Sequence, residues 1–79
     1  MQHFTTGQAS ELATIWRQTL SAGAAEVTPA TIRQWASRGH LPAAGLDDRG
    51  RPVYALADLA RAEHRTRVRA LRLVGIGTP

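Results

Sequence analysis

One segment, VTPATIRQWASRGHL, carries both a start signal and a stop signal for a helix and therefore constrains the fold most. The Thr28 hydroxyl can accept a hydrogen bond from a free amide at the helix N-terminus, and Pro29 has the fixed φ angle that suits the first helical position. Gly39 can take the left-handed conformation that closes a helix, because it has no Cβ atom. These signals predict a helix of roughly three turns between Thr28 and Gly39.

This predicted helix has an apolar side and a polar, basic side. At about 100° per residue, Ile32, Trp35 and Ala36 share one stripe, which we expect to face the core. The opposite side carries Ala30, Arg33, Gln34 and Ser37, with Arg38 beside them. A guanidinium group suits guanine or phosphate, and an amide suits adenine. The helix is therefore a candidate DNA-reading element, and an ordinary solvated helix face is the alternative.

The composition predicts one small domain without metal or disulfide chemistry. The 79 residues are 43% hydrophobic, which supports a thin but sufficient core, and cysteine is absent. The chain has three histidines, His3, His40 and His64. Their spacing is not that of a zinc site. The sequence has neither a membrane-length apolar run nor a signal-peptide pattern. We therefore expect a cytoplasmic protein with no membrane partner and no cofactor.

The charge balance favours a polyanionic partner. All ten basic residues are arginines and stand against six acidic residues, which gives a net charge of +4 and a pI near 11.4. A GC-rich genome could also produce this arginine usage, so the placement of the arginines matters more than their number. Nine of them form two groups along the chain, Arg33, Arg38, Arg49 and Arg51, then Arg61, Arg65, Arg67, Arg69 and Arg72.

A longer helix is predicted near the N-terminus, from Thr6 to Leu20. Thr5 can cap it and Gln8 follows three residues later, as in a capping box, while Phe4 precedes the cap as the expected hydrophobic-staple residue. Apolar residues recur at helical spacing, and they are Ala9, Leu12, Ala13, Ile15, Trp16 and Leu20. We expect them to form one continuous apolar face with Trp16 as a core anchor.

A small β-hairpin is predicted in the middle of the chain. Its turn is a cluster of polar and flexible residues, Asp47, Asp48 and Gly50. The return strand would run over residues 51–55, and Pro52 would be tolerated there only where no ladder hydrogen bond is needed, as on an edge strand. Val53 or Tyr54 would then point inward.

Two arginines lie at the tip of this predicted hairpin. Arg49 and Arg51 could reach along a phosphate backbone. The alternative is a solvated surface turn in which these arginines pair with Asp47 or Asp48. The basic helix that precedes the hairpin favours the phosphate contact.

A third helix is predicted from about residues 56–58 to Leu73. Its core-facing residues are expected to be Leu56, Leu59 and Ala60, continued less strongly by Val68 and Leu71. Four arginines at helical spacing would form one ridge, and they are Arg61, Arg65, Arg69 and Arg72. The ridge could contact phosphates or an acidic partner, or be a solvated face. We expect residues 1–74 to form the domain and residues 75–79 a flexible tail.

Three segments of the chain resemble a known family. FTTGQAS resembles the opening of the first helix in MerR-like and excisionase-like winged helix-turn-helix domains. VTPATIRQWASRGHLP resembles their recognition helix, and DDRGRPVYALADL resembles their wing and the helix after it. The resemblance covers residues 4–59. Its most characteristic residues are Thr31, Ile32, Arg33, Arg38, Gly39 and Leu41, supported in the wing by Gly50, Arg51, Tyr54 and Asp58.

The resemblance implies a mostly α-helical fold, a winged helix-turn-helix with three helices and a small β-hairpin wing, which binds double-stranded DNA. The helix over residues 29–38 would enter the major groove. Arg33 and Gln34 would then read bases, and Trp35 would support the helix from behind.

The family pattern also implies contacts with the DNA backbone. Thr28, Arg38 and His40 would contact phosphates, and the wing over residues 49–51 would touch the backbone or the adjacent minor groove. The full set of predicted DNA-binding residues is Thr28, Ala30, Thr31, Arg33, Gln34, Ser37, Arg38, His40, Arg49 and Arg51.

The chain departs from the family pattern in two places. The first helix and the connection over residues 21–26 are longer, which predicts a modified helix-turn-helix. MerR regulators continue into a long dimerisation helix and an effector domain, and neither fits in the residues after Leu73. We therefore expect a stand-alone module without effector sensing.

The expected function is that of an excisionase or a small transcriptional regulator of a phage or mobile element. Its expected partners are double-stranded DNA, further copies on adjacent DNA sites, and an integrase or RNA polymerase. The alternative class is a protein-interaction adaptor or inhibitor that uses the basic surface to bind an acidic partner. We do not expect an enzyme, because the sequence contains no identifiable pair of nucleophile and base.

Overall fold

The computed structural model describes residues 2–20 and 22–73, with side chains up to residue 67. The elements are strand β1 (His3–Thr5), helix α1 (Thr6–Leu20), helix α2 (Pro29–Ser37), strands β2 (Gly45–Leu46) and β3 (Pro52–Ala55), and helix α3 (Leu56–Leu73). Three helices and a small antiparallel sheet confirm the predicted fold class. The predicted tail, residues 75–79, lies outside the described residues.

The local signals that begin and end the first two helices form as predicted. The Thr5 amide donates to Gln8 Oε1 at 3.0 Å and the Gln8 amide donates to Thr5 Oγ1 at 3.2 Å, which is a complete capping box. At α2, Thr28 Oγ1 accepts from the Thr31 amide at 3.2 Å. Gly39 has a φ of 81°, the left-handed conformation expected after the helix C-terminus.

The sheet contains a strand that the sequence did not predict. Its order is β1-β3-β2, and Phe4, expected as a staple residue, lies in β1 opposite Tyr54. Although β3 is the central strand, Pro52 lies where no ladder hydrogen bond is needed, as predicted. Pro52 is tolerated because β1 reaches only as far as Thr5 opposite Val53, so the first residue of β3 has a neighbouring strand on one side only. Tyr54 points inward, as one of the two predicted alternatives requires.

The core joins all three helices to the central strand. Ile32 and Trp35 of α2 are buried, as predicted, and Trp16 of α1 packs against the core while remaining partly exposed. The buried core residues are Ala9, Ala13, Val27, Ile32, Trp35, Leu41, Tyr54, Leu59 and Ala62. Because Ile32 and Trp35 of α2 both belong to this core, the opposite face of α2 is left to solvent.

Parts of the predicted helix faces are wrong. Ile15 and Leu20 are 60% and 57% exposed, because the buried stripe of α1 runs through Ala9, Ala13 and Arg17 instead. On α3, Leu56 is 47% exposed and Ala60 is also exposed, whereas Leu59, Ala62 and Glu63 are buried. In both helices a charged residue occupies a core-facing position, which a search for apolar periodicity passes over.

The charged residues of these two helices form a buried network that reaches α2. Arg17 Nε lies 3.3 Å from Glu63 Oε2, and Arg17 Nη2 donates to Thr66 Oγ1 at 2.9 Å. Arg67 also pairs with Glu63, and this hydrogen bond raises the pKa of Arg67 above its ordinary value. The Arg17 guanidinium lies over the Trp35 ring, 5.5 Å from its centroid. One buried cation of α1 therefore contacts both α2 and α3.

The end of the long connection between α1 and α2 is held on α1 by the Thr14 hydroxyl group, and its middle by the Gln18 amide, which donates to the Ala24 carbonyl at 3.4 Å. Thr14 Oγ1 accepts a hydrogen bond from the Val27 amide at 2.8 Å. Its own proton can go to the Ser10 carbonyl at 2.8 Å or the Val27 carbonyl at 3.1 Å. Val27 is buried next to the start of α2, so this contact holds the end of the connection on the core.

Replacing Thr14 with Val should lower the free energy of unfolding by about 1–3 kcal/mol, because it leaves the Val27 amide without its partner in a partly buried place. Urea denaturation followed by circular dichroism measures the change. Thr19→Val is the matched control, since the Thr19 hydroxyl is exposed and bonds only to the Ile15 carbonyl of its own helix. Equal losses in the two variants would contradict the role given to Thr14.

Candidate nucleic-acid interface

Helix α2 presents one uninterrupted exposed face. Ile32 and Trp35 point into the core, while the positions predicted for the reading face are exposed, and they are Ala30, Arg33, Gln34, Ser37 and Arg38. The two-sided pattern predicted from the sequence is therefore confirmed. Thr31 is half-buried, and its hydroxyl lies 3.1 Å from the Thr28 hydroxyl at the N-terminus of the helix.

The wing turn is organised by one carboxylate that binds backbone amides. Asp47 Oδ1 accepts hydrogen bonds from the Arg49 and Arg51 amides, each at 2.9 Å. Gly50, with a φ of 75°, donates its amide to the Asp47 carbonyl at 3.0 Å. Within the described part of the chain, the Arg49 and Arg51 guanidinium groups form no ion pair with Asp47 or Asp48, so the alternative of a self-paired turn is not observed. Both arginines are exposed.

The wing, α2 and the start of α1 surround an open concave surface, which encloses a volume of ≈ 900 Å³. It brings together Arg33, Arg49 and Arg51, which are far apart along the chain. Its lining residues are Thr5, Thr6, Gly7, Pro29, Arg33, Asp47, Arg49, Arg51 and Pro52. We call this surface the basic concavity. Because the N-terminal ends of α1 and α2 both border it, their helix dipoles add positive potential to that of the arginines.

The other predicted DNA-binding residues lie outside the lining of the basic concavity. They follow α2 or its two ends, and they are Thr28, Ala30, Thr31, Gln34, Ser37, Arg38 and His40. His40 is half-buried beyond the C-terminus of α2, where its amide donates to the Trp35 carbonyl at 2.8 Å. Arg33 alone belongs to both the exposed face of α2 and the basic concavity.

Six lining residues are not in the predicted DNA-binding set, namely Thr5, Thr6, Gly7, Pro29, Asp47 and Pro52. The capping box in the sequence does mark the start of α1. Nothing in the capping box indicates that the start of α1 lies beside the wing. That proximity depends on the pairing of β1 with β3, which only the folded chain shows.

One arginine of the ridge predicted on α3 is paired within the protein. Arg61 pairs with Asp58 at 3.0 Å on the surface, and the neighbouring Arg67 pairs with buried Glu63. Arg65 is exposed. The side chains of Arg69 and Arg72 lie outside the described residues. The observed part of the ridge therefore offers less free charge than its spacing suggests.

Other classes of site have no counterpart in the part of the chain that the structure describes. No three His, Asp or Glu side chains there are grouped as metal ligands. Over the same residues, none of the helices combines the length and apolar character that crossing a bilayer requires.

Comparison with known proteins finds one family. The model of the MerR HTH family of regulatory proteins matches residues 4–75, a span that contains all three helices, β2, β3 and the basic concavity. No curated protein and no solved structure matches the chain. The matched span extends past residue 59, where the resemblance seen in the sequence ended, and takes in the whole of α3. The chain therefore belongs to the MerR HTH family of regulatory proteins, and its helix-turn-helix is a domain that binds double-stranded DNA.

Proposed function

We propose that this protein recognises a specific sequence in double-stranded DNA, with α2 in the major groove and the wing on the adjacent backbone. The observation that carries the proposal is the basic concavity, in which Arg33 of α2 and two wing arginines meet at two helix N-termini. Such a surface fits a phosphate backbone that passes between the wing and α2.

The dimensions and chemistry of α2 fit the major groove. An α-helix is about 10–12 Å across, which the major groove, about 12 Å wide, admits, and the nine residues of α2 extend over about 13 Å along it. Arg33 and Gln34 are adjacent and exposed, so a guanidinium fork and an amide can reach neighbouring base edges. We assign Arg33 to guanine and Gln34 to adenine, the bases that match their hydrogen-bonding groups.

The remaining predicted residues fit backbone contacts. Arg49 and Arg51 have exposed side chains on a turn whose own carboxylate is occupied by amides. Thr28, Arg38 and His40 lie at the two ends of α2, where the flanking phosphates of a groove pass. Small side chains at Ala30 and Ser37 allow the helix to approach the bases closely.

In the cell this activity would serve either a small transcriptional regulator or an excisionase of a phage or mobile element. Both roles need the same sequence-specific binding and differ in where the bound site lies. Selection of bound sequences from a random DNA pool gives the site. A site overlapping a promoter supports the regulator, and a site beside a recombination attachment sequence supports the excisionase.

Substituting Arg33 with Ala should weaken binding to the selected site by about 1–3 kcal/mol and relax the base preference at one position. Arg51→Ala should weaken binding to all sequences similarly and reduce the slope of log affinity against log salt by about 0.9. Fluorescence anisotropy with matched and scrambled duplexes, at several salt concentrations, measures both effects.

Arg65→Ala is the control for both variants, because it removes one exposed positive charge from α3. It should change affinity less than either. Equal losses in all three variants, with unchanged base preference, would show that net charge alone drives binding. If scrambled and selected duplexes bind wild-type protein equally at moderate salt, specific recognition is wrong, and binding of the basic surface to an acidic protein becomes the better explanation.

A further inference from the structure

The segment that leads into the wing turn, which we call the apolar arm, carries no charge. The proposed binding of phosphates by the wing does not explain it. Residues 42–46 read PAAGL, and all five are exposed. Leu46 in β2 is 68% exposed, the highest value among the large exposed hydrophobic residues of the described chain. A run of exposed apolar residues lowers solubility and is expected only where it serves binding.

The strand register places Leu46 on the sheet face that borders the basic concavity. Leu46 lies directly opposite Pro52 in the β2–β3 pair, and residues opposite each other share a face. Pro52 lines the basic concavity, and Tyr54, two residues later on the same face, is buried in the core. Because β2 is the outer strand, Leu46 extends this face away from the core. The result is an apolar edge beside Arg49 and Arg51.

We propose that Leu46 packs against the deoxyribose walls of the DNA minor groove next to the site read by α2, and that it selects A·T pairs there. This inference rests on the proposed function, since it needs DNA seated on the basic concavity. The arginines would hold the backbone, and the apolar arm would enter the groove that this backbone borders. Proteins that bind the minor groove frequently place apolar side chains, leucine among them, in it.

The preference for A·T pairs follows from the groove chemistry. A G·C pair places the guanine amino group in the minor groove, whereas an A·T pair has only acceptors there. Leu46 cannot accept a hydrogen bond, so covering that amino group would leave a donor without a partner. The wing would therefore add specificity at base pairs that α2 does not reach.

The test compares three variants at one position. Leu46→Ala should bind the selected duplex about tenfold to fiftyfold more weakly, since it removes three side-chain carbons from the contact. The salt slope should stay that of the wild type, in contrast to Arg51→Ala. Leu46→Met keeps the apolar volume and should retain affinity. Leu46→Asn can accept from guanine and should lose the preference for A·T over G·C in the flanking base pairs.

Leu20→Ala is the matched control, because Leu20 is similarly exposed, at 57%, at the opposite end of α1 from the basic concavity. Circular dichroism and urea denaturation show whether each variant is folded. If wild type binds its site and Leu46→Ala and Leu46→Asn bind identically with the same flanking preference, this inference is overturned and the proposed function stands. If wild type shows no sequence-dependent binding, both are overturned.

Discussion

Replacing Glu63 with Ala is expected to lower the free energy of unfolding by about 3–5 kcal/mol. The Glu63 side chain is fully buried and pairs with Arg17, whose side chain is 7% exposed. Removal of the carboxylate leaves the Arg17 guanidinium buried without a counter-ion, and Arg17 cannot release its proton to escape the cost. Since a domain of this size is stable by only about 4–12 kcal/mol, the substitution should remove from about a quarter to all of that stability.

Chemical denaturation followed by circular dichroism measures this effect, with Asp58→Ala as the control. Asp58 pairs with Arg61, whose side chain is 68% exposed, so its loss should cost no more than about 1 kcal/mol. A similar small loss for Glu63→Ala would mean that water reaches Arg17 and that the buried network does not hold the helices together.

The double variant Arg17→Met with Glu63→Leu separates the charge from the packing. Replacing a buried ion pair with apolar residues of similar size is often neutral or stabilising. Arg67 would lose its partner in this variant, but its side chain is 26% exposed and can reach water. We therefore expect the double variant to be clearly more stable than Glu63→Ala. Its DNA affinity then reports whether the charged network is needed to orient α2.

Replacing Trp35 with Ala should also lower the free energy of unfolding by about 3–5 kcal/mol. Trp35 is 5% exposed, lies on the inner side of α2, and has the Arg17 guanidinium over its ring. The substitution removes a large apolar side chain and one partner of the buried cation. Guanidinium denaturation followed by far-ultraviolet circular dichroism is the suitable measurement, because the change alters tryptophan fluorescence.

Trp35→Phe distinguishes a supporting residue from a DNA contact. Phenylalanine keeps an aromatic ring in the core, so the loss of stability should be smaller than with alanine. DNA affinity and base preference should remain those of the wild type, because Trp35 lies on the side of α2 away from Arg33 and Gln34. A change in base preference in this folded variant would contradict the assignment of Trp35 to the core.

The helices were predictable because their signals are local. The capping box at the start of α1 is formed by Thr5 and Gln8, which are three residues apart. Thr28 begins α2 and Gly39 ends it, and each acts on the residues next to it, as expected. The exposed face of α2 was also predictable, since Ile32 and Trp35 repeat at helical spacing and leave Arg33 on the other side.

The buried network was not predictable, because the sequence alone does not distinguish a charged residue that faces the core from one that faces solvent. Arg17 and Glu63 are 46 residues apart, and only their packing turns two surface-type residues into a buried pair. The same holds for Leu46, which is apolar in sequence and exposed in the structure.

Local signals in the sequence were enough to predict the bounds of the helices, the turn of the wing and the polar character of α2, since caps, turns and amphipathic spacing are properties of neighbouring residues. Tertiary structure alone decided that Arg33, Arg49 and Arg51 meet at the start of α1. That meeting depends on the pairing of the three-residue strand β1 with β3. A strand so short has too few residues for a detectable alternation and gains its stability from backbone hydrogen bonds to a distant part of the chain.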